Sequence, residues 1–253
     1  AEAPWLRECP SQALQFSLRN LDNAYTAFFN RGAGFPKFKN KHGKQSMQFP
    51  QGVRLEEGFI FIPKLKLVAI DLHRPLGKGD IKTTTLSRTT TGKYFVSILV
   101  DNHIETPTKK PINENTSIGL DVGVKHLVIT SDGKKFENKE FFLTAMKELE
   151  IAQRSLARKQ KGSNRRKKQK QIVALLHEKV RNQRQDYLHK ISRELVDQYD
   201  TICIENLDVK GLTKRMEPIQ AANGKHLANG QKDKSAMNRA ILDCGWSELR
   251  SML

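Results

Sequence analysis

Cysteine is scarce in this 253-residue chain, and the three present, Cys9, Cys203 and Cys244, are far apart. That excludes a disulfide framework, and no Cys/His cluster offers a sequence-local zinc site. Cys203, inside an apolar run, reads as a buried thiol. Long apolar stretches are missing as well: none approaches 18 residues, so no membrane span is expected. The opening AEAPWLREC has neither the basic start nor the apolar stretch of a secretory signal. Acid is in deficit. Asp plus Glu total 27 against 44 Lys plus Arg, a net charge of +17, which points to a polyanion partner. On charge alone an anionic membrane surface would also serve. Apolar residues are 38% of the chain, somewhat low, but they recur in ordered runs, so the chain is expected to fold.

The apolar pattern changes near residue 110. Leu14, Leu18, Leu21, Tyr25 and Phe28 stand at helical spacing, which gives an N-terminal helical segment over 1–34. Residues 35–105 open with Lys37, Lys39 and Lys41 around Phe35 and Phe38. They continue as SMQFP, GFIFIP, KLKLVAIDL, DIKTTTLSRT and KYFVSILV, short strands set apart by Gly and Pro. Short strands with tight turns predict a small antiparallel β-barrel or curled sheet. Residues 106–116 read as a linker. From 117, TSIGLDVGVKHLVITSDGKKF gives a strand, a glycine turn and two further strands. A helical hairpin follows over 140–198, broken by Gly162-Ser163-Asn164, before TICIENLDV returns to strand.

Two constellations stand out. Asp121 ends the run SIGL and Glu205 ends TICI, each at the end of a strand. Neighbouring strand-end carboxylates can share a hard divalent ion, Mg²⁺ or Mn²⁺. Equally, such an acid is a cap or a salt-bridged surface group. Asp208, three residues beyond Glu205, is expected to flank the site without ligating metal, Asp243, in the last helix, to cap or brace it, and Asp132 to be a turn residue with Gly133. The second constellation lies in residues 154–184, which hold 12 Lys or Arg and one acid, Glu178. Arg158, Lys159, Lys161, Arg165, Arg166, Lys167, Lys168 and Lys170 crowd the hairpin tip. A solvated face mixes signs, so a polyphosphate partner explains this run better than a solubilising coil.

The stretches IGLDVGVKHLVITSDGK (118–134), AQRSLARKQKGSNRRKKQK (152–170), LHEKVRNQRQDYLHKISRELV (176–196), ICIENLDVKGL (202–212) and GWSELRSML (245–253) resemble the OrfB/TnpB family. These are transposon-encoded proteins related to type V CRISPR effectors. GFPKFKNK (34–41), IPKLKLVAI (62–70) and residues 73–100 resemble the family's wedge region. The resemblance implies an α/β protein with an all-β part. A wedge-type β-barrel would be followed by an incomplete RNase H-like (RuvC-like) domain over 117–253 that carries the basic hairpin. It implies RNA-guided DNA cleavage with guide RNA and target DNA as partners, in the cytoplasm of a prokaryotic cell and at the nucleoid when bound. Asp121 and Glu205 match two of the family's three catalytic metal ligands. The third Asp and a zinc ribbon would lie beyond Leu253, and the first strand and helices before Trp5. The chain is therefore expected to be clipped at both ends or a remnant, with weak Mg²⁺ binding and little cleavage. The alternatives are a non-catalytic nucleic-acid-binding regulator and, from the strand-Asp-Gly hairpin, an actin- or Hsp70-like ATPase.

Overall fold

The computed structural model describes residues 3–38, 45–109 and 111–253. The chain divides into two units, Ala1–Thr108 and Lys109–Leu253. In the first, α1 (Ser11–Arg31) ends where Gly32 adopts φ 64° and its N–H closes onto the Ala27 carbonyl. Glycine takes that left-handed position without the Cβ clash another residue would meet. Six strands follow: β1 (Gln45–Phe49), β2 (Arg54–Glu56), β3 (Phe59–Ile62), β4 (Lys66–Ala69), β5 (Asp80–Arg88) and β6 (Tyr94–Asp101). α1 lies on β1, where Asn20 Nδ2 donates to Gln48 Oε1 at 3.3 Å.

These strands do not close. They form two open antiparallel sheets, β1-β5-β6 and β2-β3-β4, and none of the described sheets is a barrel, so the wedge-type β-barrel expected over 35–105 is corrected. Closure requires every strand to be hydrogen-bonded on both sides. β5 already pairs with β1 on one side and β6 on the other, so it has no free edge for β4. β4 and β5 therefore do not pair. The sheets share a small core instead: Phe49, Val53, Ile60 and Ile62 are buried, with Ile81, Leu86, Val96 and Ile98 packed against them. The class observed is α/β with several small open sheets.

The second unit carries β7 (Ser117–Val122), β8 (His126–Thr130) and β9 (Lys135–Glu137), then α2 (Phe141–Arg158), α3 (Asn164–Gln198) and β10 (Thr201–Ile204). After them come α4 (Val209–Leu212), the short pair β11 (Ile219–Gln220) and β12 (His226–Leu227), α5 (Gln231–Cys244) and α6 (Trp246–Met252). The sheet order is β10-β7-β8-β9, antiparallel except that β10 runs parallel to β7. Parallel neighbours need a long crossover, and the α2–α3 hairpin supplies it. One sheet face is apolar. Ile118, Leu120, Val122 and Val128 pack against Leu188, Ile191 and Leu195 of α3 and against Ile241, Trp246 and Leu249 of α5 and α6.

The hairpin ends are fixed by polar contacts. Ser163 Oγ accepts from Arg166 N at 3.2 Å and caps α3. α2 has no cap of its own, because Glu140 sits at φ 46° with its side chain unengaged there. Asp243 of α5, 5% exposed, accepts from Phe142 N at 3.0 and 2.9 Å and from Leu143 N at 3.3 Å. A buried carboxylate thus satisfies the orphan N–H groups from another helix and complements the positive end of the helix dipole.

Candidate active site

β7 alternates burial along its length, so Asp121 is exposed between buried Leu120 and Val122. Its side chain stands on the sheet face opposite the core. The parallel register sets Cys203 beside Gly119 and Ile204 beside Leu120, and Glu205 is the next residue, just past the end of β10. Asp121 and Glu205 both line one open cleft. Gly123 keeps the chain tight after Asp121, since a Cβ there would meet the His126 carbonyl at 3.0 Å.

Gly119, Asp121, Ile129, Ser131, Cys203 and Glu205 line a shallow cleft of about 490 Å³. Glu205 also faces a second cavity, of about 250 Å³, with Leu207, Trp246, Ser247, Arg250 and Ser251. Among the described residues no group of three or more His, Cys, Asp or Glu side chains is placed to hold a metal. The other acids are engaged in structure. Asp208 Oδ1 accepts from Gly211 N at 3.0 Å and caps α4, while Asp243 caps α2. His126 Nδ1 lies 3.7 Å from the Glu137 carboxylate.

Cys203 is not the buried thiol that its apolar run suggests. It is exposed, because its strand has one face turned away from the core. The buried thiol is Cys244, whose Sγ lies 3.2 Å from the Ala240 carbonyl, and burial pushes it up to about 11. Arg250 went unmarked in the sequence. Its signal was there: Ser247, Arg250 and Ser251 recur at helical spacing of three and four, which aligns them on one face of α6. Arg250 Nη1 donates to Asn206 Oδ1, beside Glu205.

At the hairpin tip, Arg158, Lys161, Arg165, Lys167, Lys168 and Lys170 are exposed, and Lys159 is half-buried. None of these seven forms an ion pair among the described residues. Arg166 differs. Its Nη1 donates to the carbonyls of Leu156 at 2.6 Å and Lys159 at 3.1 Å, tying the end of α2 to the start of α3. Lys37 is exposed, while Lys39 and Lys41 lie outside the described residues.

The family model OrfB_IS605, described as "Probable transposase", matches residues 97–216, the stretch that contains Asp121, the hairpin and Glu205. The protein described as "Putative RNA-guided DNA endonuclease InsQ" from Escherichia coli (strain K12) is 37% identical over 254 residues, covering 100% of this chain. The chain belongs to the OrfB/TnpB family. A Streptomyces pristinaespiralis protein described as "Putative RNA-guided DNA endonuclease" is 35% identical over 256 residues, again covering 100% of the chain. This OrfB/TnpB chain spans 61% and 58% of the length of these two curated relatives. No helix among its described residues is long and apolar enough to cross a membrane.

Proposed function

We propose that this chain forms part of a transposon-associated, RNA-guided DNA endonuclease, with Asp121 and Glu205 as metal-binding carboxylates and the hairpin tip as a nucleic-acid contact. The observation that carries the reading is the shared open face: two carboxylates at the ends of adjacent strands line one cleft, inside the family-matched stretch. The donor set fits a hard ion. Both groups are oxygen donors, which suits Mg²⁺ or Mn²⁺, and a single ion could complete its coordination with water and phosphate oxygens. When bound, such an ion activates water and stabilises the leaving oxygen in phosphodiester hydrolysis.

The chain's own residues do the rest. β7 carries Asp121 within the sheet, and Glu205 follows directly on the last residue of β10. The flat face, with Gly119 presenting no side chain, admits an extended strand. The exposed Lys and Arg of the hairpin tip, with Lys37, bind guide RNA and target DNA through phosphates, setting affinity and position rather than sequence choice. Asp121 and Glu205 by themselves supply two carboxylate ligands, so they would bind one ion weakly.

Mn²⁺ titration followed by electron paramagnetic resonance tests the metal site. Weak, near-stoichiometric binding is expected, lost in both Asp121→Ala and Glu205→Ala with circular dichroism unchanged. Undiminished binding in either variant would move the site elsewhere. Nucleic-acid binding without any specific Mn²⁺ site would favour a non-catalytic binding protein.

A further inference from the structure

The cavity between α6 and the end of β10 is not needed to hold a metal on Asp121, yet Glu205 forms part of its wall. Its polar lining is Glu205, Ser247, Arg250 and Ser251, and the remainder is mostly apolar, including Leu207 and Trp246. Arg250 is exposed and makes no ion pair among the described residues. Its bond to the neutral Asn206 side-chain oxygen anchors the guanidinium beside the Glu205 strand end. A guanidinium has five N–H donors in a planar fork, so most of its donors remain for a ligand. Trp246, 8% exposed, adds a second unused donor in the same wall: its indole N–H has no acceptor.

We infer that Arg250 is a phosphate-holding residue, gripping a backbone phosphodiester of the nucleic-acid strand in this cavity, next to the carboxylate pair. The inference deepens the proposed function and rests on it. The Asn206 amide fixes the orientation of the guanidinium without neutralising it, which an acid at the same distance would do. Ser247, one turn from Ser251 on α6, offers its hydroxyl to a remaining phosphate oxygen, while Ser251 Oγ donates to the Ser247 carbonyl at 3.0 Å. Glu205 opposes the phosphate when no metal is bound, so the two walls act with opposite sign on one ligand.

That opposition supplies the test. In a Trp5→Phe background Trp246 is the only tryptophan, and its emission reports on the cavity. Hexathymidylate is titrated in EDTA at several salt concentrations, with fluorescence anisotropy of the labelled oligonucleotide measured in parallel. A saturable change in Trp246 emission is expected. Arg250→Gln, which can keep the bond to Asn206 but not the charge, should weaken it about tenfold or more, as losing a charge-assisted hydrogen bond does. Arg250→Lys should recover part of the loss, and Glu205→Gln should tighten binding. A merely structural Arg250 would leave Arg250→Gln at parental affinity, which overturns the inference. So would anisotropy showing binding while Trp246 emission stays flat, an outcome that leaves the hairpin contact standing. Should anisotropy also fail to detect binding, the broader nucleic-acid reading falls with it.

Discussion

Toward its C-terminus α3 mixes its charges: Lys190 meets Asp186 at 2.7 Å, Arg193 meets Asp197 at 2.7 Å, and Glu194 pairs with Lys134 of the β8–β9 turn. The same stretch buries Leu188, Ile191, Ser192 and Leu195. Its first turns instead carry Arg165, Lys167, Lys168 and Lys170 without a paired acid, and Ile172 and Leu175 there are 48% and 44% exposed. One helix thus serves two purposes. Exposed pairs contribute little to stability, so the anchored half is held by its apolar stripe. The unpaired half gains nothing intramolecular from its charge, and like charges at helical spacing repel. An external anion, as in the proposed nucleic-acid contact, would relieve that repulsion.

The largest effect expected from breaking the anchored half is at Leu188, which is fully buried. Leu188→Ala should cost about 2–5 kcal/mol by transfer and cavity terms, read as a lowered urea midpoint. Oligonucleotide affinity of the folded fraction should not change. A cost under about 1 kcal/mol would mean that the sheet–α3 core does not anchor the hairpin.

Asp243 comes next, since it fixes the other leg of the hairpin. Asp243→Ala leaves the Phe142 and Leu143 N–H groups without their acceptor in a half-buried place. The expected loss is about 1–3 kcal/mol, with fraying of the first turn of α2 visible as faster amide exchange at 142 and 143. Unchanged exchange there would show that water replaces the carboxylate.

Much of this was legible from residue order, and the gaps have physical causes. Period-2 runs located β1, β3, β4, β5 and β6, but pairing depends on long-range register, which a local pattern does not carry, so the closed barrel was wrong. Helical spacing located both hairpin legs. It did not show where the stripe would find a core, because Ile172 and Ile191 look alike in sequence and only the second meets the sheet. Asp121 and Glu205 were visible as strand ends, whereas the parallel pairing of β10 with β7, which brings their strands together, was not. Cys203 was misread because an apolar neighbourhood in sequence does not say which face a strand residue takes. The capping role of Asp243 on α2 is set over a hundred residues of chain and has no local signature.

The tip should respond in the opposite way to the anchored half. Replacing Arg165, Lys167, Lys168 and Lys170 together by Gln should move folding stability by no more than about 0.5 kcal/mol for each site. The slope of log affinity against log salt for duplex DNA should become shallower by about 0.9 for each lost phosphate contact. Arg166→Gln sharpens the contrast, for it removes one charge of the same run but also the bonds to the Leu156 and Lys159 carbonyls. It should lower the melting temperature more than any one of its neighbours, with a smaller change in salt slope. Equal behaviour of Arg166 and Lys167 in both measurements would erase the distinction between turn-holding and ligand-holding charge.

The smallest effect belongs to the turn that meets the anchored half. Asp132 accepts from the Thr130 hydroxyl, from Tyr199 Oη at 2.8 Å and from Lys134 N at 3.3 Å. These bonds, the Thr130 hydroxyl first, hold its carboxyl below the ordinary value of 3.8. A depressed folded value means that the unfolded chain takes up the proton first as pH falls. The stabilisation is therefore complete above the ordinary carboxylate range and is lost as pH drops through the lower folded value. Tyr199 shows the converse: its bond to Asp132 raises it above 10.0, so its share persists below that pH and is lost as pH rises through the folded value. Both groups are solvent-accessible, so the effect is small. Asp132→Asn should flatten the acid limb of the stability–pH curve below about pH 4 and also the alkaline limb above about pH 10. Tyr199→Phe should flatten the alkaline limb and only part of the acid one, because Thr130 and Lys134 still bond to Asp132. Urea midpoints measured across both limbs decide it, and parallel curves for Asp132→Asn and the parent would show that this network does not couple the turn to α3.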